Sequence, residues 1–453
     1  MHSEQSCFSM HPRSLQRRSD LKNKIDKNFI ENKDRGNGSF LLFCIAVAIQ
    51  RAFSFRKEKA ERVIMEKIKL GILGVGNIGT DHVKRIVNGE CPEIELAAVC
   101  DLKTERLEAV KAIAGEDLPV FTDAESMMKS GLIHALLVSV PHYDHPKYAM
   151  MAMENGIHVL IEKPAGVYTK QVLEMNECAK THDVIFGIMM NQRTNDLYRK
   201  MREIVQSGEM GAIKRTNWII TNWYRPQAYY DSGDWRATWS GEGGGVLLNQ
   251  CPHNLDLWQW ICGMPKTVRA HLHFGKWHDI EVEDDVTTYV EYPNGATGVF
   301  VTTTGDAPGS NRFEITLEKG KMIAEGNTLT IWKSDVSEPE FSKTNTKPFG
   351  IPKYQQTTIA LEGEVPQHRG VMNAFASAIL HGTPLIANGI EGINGLSISN
   401  AMHLSAWTDQ TVDIENFDHE LYYEELMKRV ATSRRKTNVT EAIAADMGDT
   451  FGA

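Results

Sequence analysis

A histidine in the second half of the chain has neighbours that suit it for proton transfer. His253 follows the glycine run 243–245. Asn249 stands four residues before it and Asp256 three residues after it, so the three side chains share one face if the chain is helical from Val246. A histidine changes its protonation near neutral pH, and an adjacent amide or carboxylate can orient its ring. The segment predicts a proton-transfer site at His253, with a histidine that caps a buried polar network as the alternative.

A lysine in the first half of the chain is placed for related chemistry. Lys163 follows the apolar run 157–161, and Pro164 directly after it limits the backbone freedom of the turn. If the run is a strand of a parallel sheet, Lys163 lies at its carboxyl end, where ligands bind in such sheets. Either Lys163 contacts a bound ligand, or it is a solvated lysine at a strand end.

Three glycines mark a dinucleotide site ahead of this lysine. Gly74, Gly76 and Gly79 stand between the apolar run 68–73 and a helical run. Gly74 suits a tight turn, Gly76 admits the pyrophosphate close to the backbone, and Gly79 lets the helix pack on the strand. Asp101 closes the next apolar run, as the fingerprint requires. The pattern predicts a bound nicotinamide dinucleotide.

The choice of cofactor depends on the end of the second strand. Asp101 would accept hydrogen bonds from a ribose 2′-hydroxyl and repel a 2′-phosphate, which favours NAD. Lys103, two residues later, weakens that preference and leaves NADP possible.

The elements that must position these residues alternate between strand and helix in the first part of the chain. Strands are predicted near residues 68–74, 95–101, 118–121, 134–140, 157–161 and 184–189. Helices are predicted near residues 79–87, 102–114, 124–130, 145–155 and 170–181. This alternation predicts a Rossmann domain, a doubly wound parallel sheet, over residues 66–190.

The pattern changes after residue 190, toward an α/β domain with an open, mainly antiparallel sheet over residues 191–430. Strands are predicted at 215–223, 268–274, 285–292 and 297–304. Helices are predicted at 195–207, 366–381 and 392–408. The polar stretch 334–365 is predicted to be an excursion loop, and residues 437–453 a frayed tail.

Composition excludes several classes of partner. With 453 residues the chain is long enough for two domains, and a net charge of −9 offers no basic field for nucleic acid. The apolar run 40–49 is shorter than the roughly twenty residues that cross a bilayer, so no membrane association is expected. Residues 1–64 are predicted to be a disordered extension or a start-site artefact.

The cysteines and the remaining histidines predict no further covalent or metal chemistry. The seven cysteines form no CxxC pair and no zinc spacing, which is typical of a reducing compartment, and we expect a cytoplasmic protein without disulfides. His271 and His273 share one strand face, but two histidines without further ligands predict no metal site.

Taken together, three motifs resemble the glucose-fructose oxidoreductase and inositol dehydrogenase (Gfo/Idh/MocA) family: GVGNIG from Gly74, EKP from Glu162 and GGGVLLNQCPHNLD from Gly243. The resemblance runs from about residue 66 to 430. It implies a Rossmann domain followed by an α/β domain whose open sheet often supports oligomerisation, and therefore a homo-oligomer, a dimer or a tetramer. It also implies hydride transfer between nicotinamide C4 and a carbon bearing a hydroxyl, on a sugar, an inositol or a related polyol.

The resemblance also implies roles for individual residues. Lys163 matches the EKP lysine and His253 the helix histidine, so His253 would take the hydroxyl proton while Lys163 stabilises the same oxygen. Asn249 stands where many members have aspartate, and an amide cannot hold negative charge, so more of the proton transfer would pass to Lys163. The cofactor contacts are expected at Gly74, Gly76, Asn77, Ile78, Gly79, Asp101, Pro141, His145, Glu162 and Lys163. The substrate contacts are expected at Asn191, Arg193, Trp235, Arg236, Asn249 and His253.

Three alternatives stay open on the sequence. Some relatives of this family keep NAD bound and cleave glycosidic bonds through transient oxidation and elimination, and the amide at 249 is compatible with that chemistry. A non-catalytic dinucleotide sensor is the second, which the presence of both Lys163 and His253 disfavours. Reduction of an imine or biliverdin-like substrate, the third, would not need His253 in the same role.

Overall fold

A computed structural model of the chain describes residues 66–361, 363–434, 436 and 439. The predicted N-terminal extension (1–64) and all but one residue of the predicted tail lie outside this part of the chain. The described residues from Lys67 onward form one compact unit. Among the described residues, no helix combines the length and the apolar character that a transmembrane span requires.

A parallel sheet of six strands occupies the first part of the unit, in the order β3-β2-β1-β4-β5-β6. Its strands are β1 (Ile68–Leu73), β2 (Ile94–Cys100), β3 (Val120–Phe121), β4 (Ala135–Val138), β5 (His158–Ile161) and β6 (Phe186–Ile188). The helices between them are α1 (Asn77–Val87), α2 (Thr104–Ala114), α3 (Ala124–Lys129), α4 (His145–Glu154) and α5 (Thr169–Thr181). Central strands such as β4 are buried along their whole length because helices cover both faces. This order confirms the predicted doubly wound sheet.

A second, mixed sheet has nine strands among the described residues, in the order β14-β13-β12-β11-β7-β10-β9-β8-β15. The strands are β7 (Ile213–Ile220), β8 (Thr267–Phe274), β9 (Glu283–Glu291), β10 (Thr297–Thr303), β11 (Asn311–Leu317), β12 (Gly320–Glu325), β13 (Thr328–Ser334), β14 (Tyr354–Ala360) and β15 (Val412–Asp413). Strands β7 and β10 pair in parallel, whereas the neighbouring pairs are antiparallel. The predicted fold class, a parallel sheet followed by a mainly antiparallel one, is confirmed.

Helices pack around the second sheet and return to the first. They are α6 (Asp196–Ser207), α7 (Gln227–Asp231), α8 (Pro252–Cys262), α9 (Glu338–Thr344), α10 (Gln367–His381), α11 (Gly392–Thr408) and α12 (His419–Thr432). The return is visible in side-chain contacts: Asn373 of α10 donates to the main-chain oxygen of Glu90, and Asn400 of α11 accepts from the Thr169 amide. The second part of the chain therefore packs directly against the dinucleotide-type sheet.

The predicted excursion loop over 334–365 is wrong. The segment contains helix α9 and strand β14, which pairs antiparallel with β13 from Tyr354 opposite Ser334 to Ala360 opposite Thr328. Strand β14 forms the edge of the sheet and is exposed on both faces along nearly its whole length. A strand whose two faces are both exposed to solvent shows no alternation of apolar and polar residues. The hydrophobic periodicity of the sequence therefore could not reveal it.

The predicted helix from Val246 is also wrong, because α8 begins at Pro252. The Glu283 carboxylate accepts hydrogen bonds from the main-chain amides of Gly245 and Leu247, each within 3.0 Å. Those contacts hold the residues that precede α8 in turns against β9. Proline is well suited to the first helical position, so the helix begins there. Asn249 consequently lies in a turn and not on one helical face with His253.

A buried ion pair fastens α8 to the segment that leaves the first sheet. Arg193, in a single turn of 3₁₀ helix at Asn191–Thr194, donates to both carboxylate oxygens of Asp256 at 2.7 and 2.8 Å. Nη1 of Arg193 also donates to the carboxylate of Glu391 at 2.7 Å, and Glu391 directly precedes α11. Both Arg193 and Asp256 are buried.

We expect Asp256→Ala to destabilise the protein by about 3–5 kcal/mol, because it leaves the Arg193 guanidinium buried without its main partner. Equilibrium unfolding in urea measures the change. Glu338→Ala is the control, since it breaks a solvent-exposed pair with Lys214 and should cost less than about 1 kcal/mol. Equal costs for the two substitutions would contradict the structural role of the pair.

Candidate active site

The glycine turn after β1 has the shape of a phosphate cradle. Gly74 has φ +88°, and a Cβ there would lie 2.6 Å from the main-chain oxygen of Ser139. A Cβ on Gly79 would collide with the Gly74 carbonyl, whereas one on Gly76 would meet nothing closer than Arg106 at 3.8 Å. Helix α1 begins at Asn77 without a side-chain cap, so the first amides of the helix, including that of Ile78, are not satisfied by one. The turn fits a pyrophosphate as the sequence predicts.

Asp101 ties this turn to the end of β2. Its carboxylate accepts from the amides of Val75 and Lys103 at 2.9 Å each, and from Arg106 at 3.4 Å. A carboxylate has about four acceptor positions, so these contacts leave capacity for a ribose hydroxyl. Sequence reasoning missed Arg106, which lies on α2 five residues after Asp101 and is half exposed.

The two histidines after β4 are both buried, each against main-chain oxygens. His145 lies 2.7 Å from the carbonyls of Val140 and Pro164, so it joins the turn after β4 to the turn that carries Lys163. The His142 ring is buried, with Nδ1 3.3 Å from the Glu242 carbonyl. Burial lowers the pKa of both imidazoles. Pro141 is exposed at the start of the same turn.

Glu162 directly precedes Lys163 and contacts α1. One carboxylate oxygen is 2.8 Å from Nε2 of His82, and the other accepts from the Lys163 amide at 3.2 Å. Burial alone would raise the pKa of Glu162, but the hydrogen bond from His82 and nearby positive charge hold it at about 2. The His82 ring packs edge-on against His368 of α10. Neither histidine was singled out from the sequence, because the pairing joins residues that are far apart along the chain.

Lys163 contacts the turn before α8, and His253 is the second residue of that helix. Lys163 Nζ donates to the main-chain oxygen of Asn249 at 2.9 Å. Burial lowers the pKa of Lys163, and the carboxylates of Glu162 and Glu242 oppose that effect. Burial, followed by the charge of Lys163, lowers the pKa of His253 well below 6.5. The site therefore combines a neutral imidazole with a lysine whose pKa is lowered.

The side chain of Asn249 points to a polar cluster. Its Nδ2 donates to the carboxylate of Glu242 and, at 3.2 Å, to the Tyr229 hydroxyl. Arg236 also donates to that hydroxyl, at 2.8 Å, and Trp235 packs edge-on against His142. Trp235 and Arg236 are thus close to the site, as predicted for a crevice wall. Glu242 and Tyr229 were missed, although Glu242 directly precedes the glycine run.

The two remaining substrate candidates occupy different surroundings. Asn191 is buried, with Nδ2 3.3 Å from the ring nitrogens of His368, and its Oδ1 has no hydrogen-bond partner among the described residues. Arg193 uses its guanidinium in the buried pair with Asp256. Asn191 therefore has an acceptor to offer a ligand, whereas the guanidinium of Arg193 is occupied by Asp256.

The arrangement suits proton removal from a hydroxyl. Nδ1 of His253 has no hydrogen-bond partner among the described residues. A neutral imidazole can accept a proton, and a neighbouring ammonium can stabilise the oxygen that loses it. Both groups lie past the carboxyl ends of β4 and β5, the edge where a doubly wound sheet binds its ligand.

Two family models match the chain in succession. Residues 68–190 match the model described as an oxidoreductase family with an NAD-binding Rossmann fold. Residues 198–323 match the model of the Gfo/Idh/MocA C-terminal domain.

Curated relatives are distant but numerous. The chain is 24% identical over 204 residues to the rhizopine catabolism protein MocA of Rhizobium meliloti, covering 45% of this chain and 60% of MocA. It spans 54 to 68% of the length of three further curated relatives. It is 24% identical over 366 residues to scyllo-inositol 2-dehydrogenase (NADP(+)) IolW of Bacillus subtilis, covering 78% of this chain and 97% of IolW.

A solved structure shares the whole two-sheet arrangement. The WlbA dehydrogenase from Bordetella pertussis, in complex with NADH and UDP-GlcNAcA, superposes with a TM-score of 0.66 at 25% identity, covering 77% of this chain and 98% of WlbA. Family models, relatives and this solved structure agree with the resemblance that the three motifs carry. The chain belongs to the Gfo/Idh/MocA family of NAD-binding oxidoreductases.

Proposed function

We propose that this protein is an NAD(P)-dependent dehydrogenase that transfers hydride between nicotinamide and a hydroxyl-bearing carbon of a sugar, an inositol or a related polyol. The observation that carries the proposal is the contact between Lys163 and the Asn249 turn, which supports a shared site for the strand-end lysine and His253. Relatives named for inositol oxidation and a neighbour bound to a nucleotide sugar support the substrate class.

The residues of the site have different roles in oxidation. When bound, the nicotinamide dinucleotide supplies the hydride acceptor. His253 takes the proton from the substrate hydroxyl, because its imidazole is neutral at pH 7. Lys163 donates a hydrogen bond to the same oxygen and stabilises its developing negative charge. Asn191, Trp235 and Arg236 would contact the remainder of the substrate.

The dinucleotide would be held by the glycine turn and by Asp101. The open approach at Gly76 and the uncapped start of α1 suit the pyrophosphate, and Asp101 suits a free ribose 2′-hydroxyl. Arg106 lies beside Asp101 and could pair with a 2′-phosphate, which supports use of NADP as a second cofactor.

We further propose that the enzyme is a cytoplasmic homo-oligomer. The five cysteines in the described part of the chain are free thiols, which is compatible with a reducing compartment. The open sheet, with exposed apolar side chains such as Ile219 and Tyr289, offers a face for a second copy.

Substituting either reacting residue should abolish oxidation. We expect Lys163→Ala and His253→Ala each to lower kcat/KM by at least about 100-fold, since each removes a group that acts on the reacting oxygen. NADH or NADPH formation at 340 nm, on a panel of inositols, aldoses, anhydrosugars and glycosides, measures the effect.

The matched controls are an exposed lysine and an exposed histidine outside the site. Lys170→Ala and His381→Ala remove side chains paired with surface carboxylates and should retain activity. Release of sugar from a glycoside without net NADH would instead support the redox-assisted glycosidase. Tight NAD binding without turnover of any substrate would support the sensor.

The pH profile should reveal which residue is the base. Burial and the charge of Lys163 hold the pKa of His253 well below 6.5, so its neutral form persists as the pH falls through that value. We expect kcat/KM for oxidation to stay level down to pH 6.5 and to decline only at lower pH. A rate that instead climbs steadily with pH above 7 would identify Lys163 as the base.

Cofactor preference should respond to the charge at position 101. We expect Asp101→Asn to raise the affinity for NADPH relative to NADH by about tenfold, because it removes the repulsion of a 2′-phosphate. Dissociation constants from calorimetry measure the ratio. Adding Arg106→Ala to this variant should reverse the gain, whereas an unchanged ratio in both variants would exclude the role of Asp101.

A further inference from the structure

Glu242 is a buried carboxylate that the proposed chemistry leaves unused. It is 1% exposed and lies directly before the glycine run. One oxygen accepts from the Ala237 amide at 2.6 Å, and the other accepts from Nδ2 of Asn249. Both partners are N–H groups, which donate hydrogen bonds to the carboxylate but cannot accept one from a protonated carboxyl group. Burial raises the pKa of Glu242, and the charge of Arg236, the two hydrogen bonds and the charge of Lys163 oppose that effect.

Positive charge near Glu242 comes from Arg236 and from Lys163. No carboxylate lies within 4.0 Å of Lys163 Nζ among the described residues, and its hydrogen bond goes to the main-chain oxygen of Asn249. Asn249 therefore stands between the two charges, accepting from Lys163 through its backbone and donating to Glu242 through its side chain. The other nearby carboxylate, Glu162, is hydrogen-bonded to His82.

The same contact orients the Asn249 amide. Its Nδ2 donates toward Glu242 and Tyr229, so Oδ1 is on the opposite side of the planar group. No hydrogen bond to Oδ1 is found within the described part of the chain. An amide held in this orientation offers an acceptor to a substrate hydroxyl.

We propose that Glu242 is the positioning carboxylate of this site: from behind Asn249 it supplies a negative charge opposite Lys163 and holds the amide oxygen of Asn249 toward the substrate. The inference rests on the proposed function for its catalytic consequence, but the charge coupling itself exists in the protein without substrate. It explains how a site with an amide at position 249 retains a negative charge.

The electrostatic surroundings give the sign of the effect. The charged and titratable groups facing Lys163 are Glu162, Glu242, Arg225, Arg236, His142, His145, His253 and His368. Burial lowers the pKa of Lys163, Glu162 and Glu242 raise it, and the two arginines lower it. Removing the charge of Glu242 leaves one carboxylate to oppose burial, so the pKa of Lys163 falls.

The first test measures Lys163 directly in the full chain without substrate. The rate of Lys163 acetylation by acetic anhydride is followed against pH by mass spectrometry, because only the neutral amine reacts. We expect Glu242→Gln to move the midpoint to lower pH by about one pH unit. Glu420→Gln, which removes an exposed carboxylate paired with Lys170, should leave the midpoint unchanged. An unchanged midpoint in folded Glu242→Gln overturns the proposal.

The second test exchanges the charge between the two positions. We expect Glu242→Gln to lower kcat for oxidation by about tenfold with little change in KM, and to move the alkaline limb of the pH profile to lower pH. Asn249→Asp alone places two carboxylates in contact, so one of them must take up a proton. The double variant Glu242→Gln/Asn249→Asp again has one carboxylate and should regain activity to within about threefold of the unmodified protein.

These outcomes separate the inference from the proposed function. A double variant no more active than Glu242→Gln assigns Glu242 a merely structural role in the turn and overturns the inference. If the unmodified protein oxidises no polyol, the proposed function fails, and the acetylation midpoint still decides the coupling between Glu242 and Lys163. If Glu242→Gln does not fold, the acetylation midpoint of the double variant decides, because it should match that of the unmodified protein.

Discussion

The hydrogen bond from Lys163 Nζ to the Asn249 carbonyl is the contact on which the site depends. It joins the carboxyl end of β5, in the parallel sheet, to the turn that precedes α8. Each end is held by a further buried group. His145 supports the turn that carries Lys163, and Glu283 holds the glycine run through two main-chain amides. A proton acceptor and an ammonium can share one site because both supports leave their turns little freedom to move.

Buried charge sets the second constraint on this region. Asp101, Glu162, Glu242 and Glu283 are all buried, and each accepts hydrogen bonds from main-chain amides. An unpaired charge in such surroundings would be strongly destabilising, so each carboxylate fixes the backbone around it. Turns that would otherwise be variable in conformation are held in place for ligand binding. Two of these carboxylates, Glu162 and Glu242, oppose the effect of burial on the pKa of Lys163, and Glu162 does so for His253.

Hydrophobic period predicted the first sheet well, with strand ends within about two residues of those observed. Its central strands are buried on both faces and separated by regular helices, so local sequence and tertiary environment agree. The prediction failed at β14, whose two exposed faces carry no alternation, and at the turn before α8. There, the Glu283 carboxylate binds the amides of Gly245 and Leu247, and the chain forms turns up to Pro252. That contact joins residues far apart in sequence, and no local pattern encodes it.

The sequence by itself determined the fold class and the family resemblance, because these depend on residue type and spacing within short motifs. Only the tertiary structure decided what surrounds the candidate residues Lys163 and His253. Arg193 was expected to contact substrate and instead pairs with Asp256, while Glu242, Tyr229, His82 and His368 were identified only by proximity. Ion pairs and hydrogen bonds between distant segments arise from the packing of the two sheets, and pKa values follow from the burial that this packing creates.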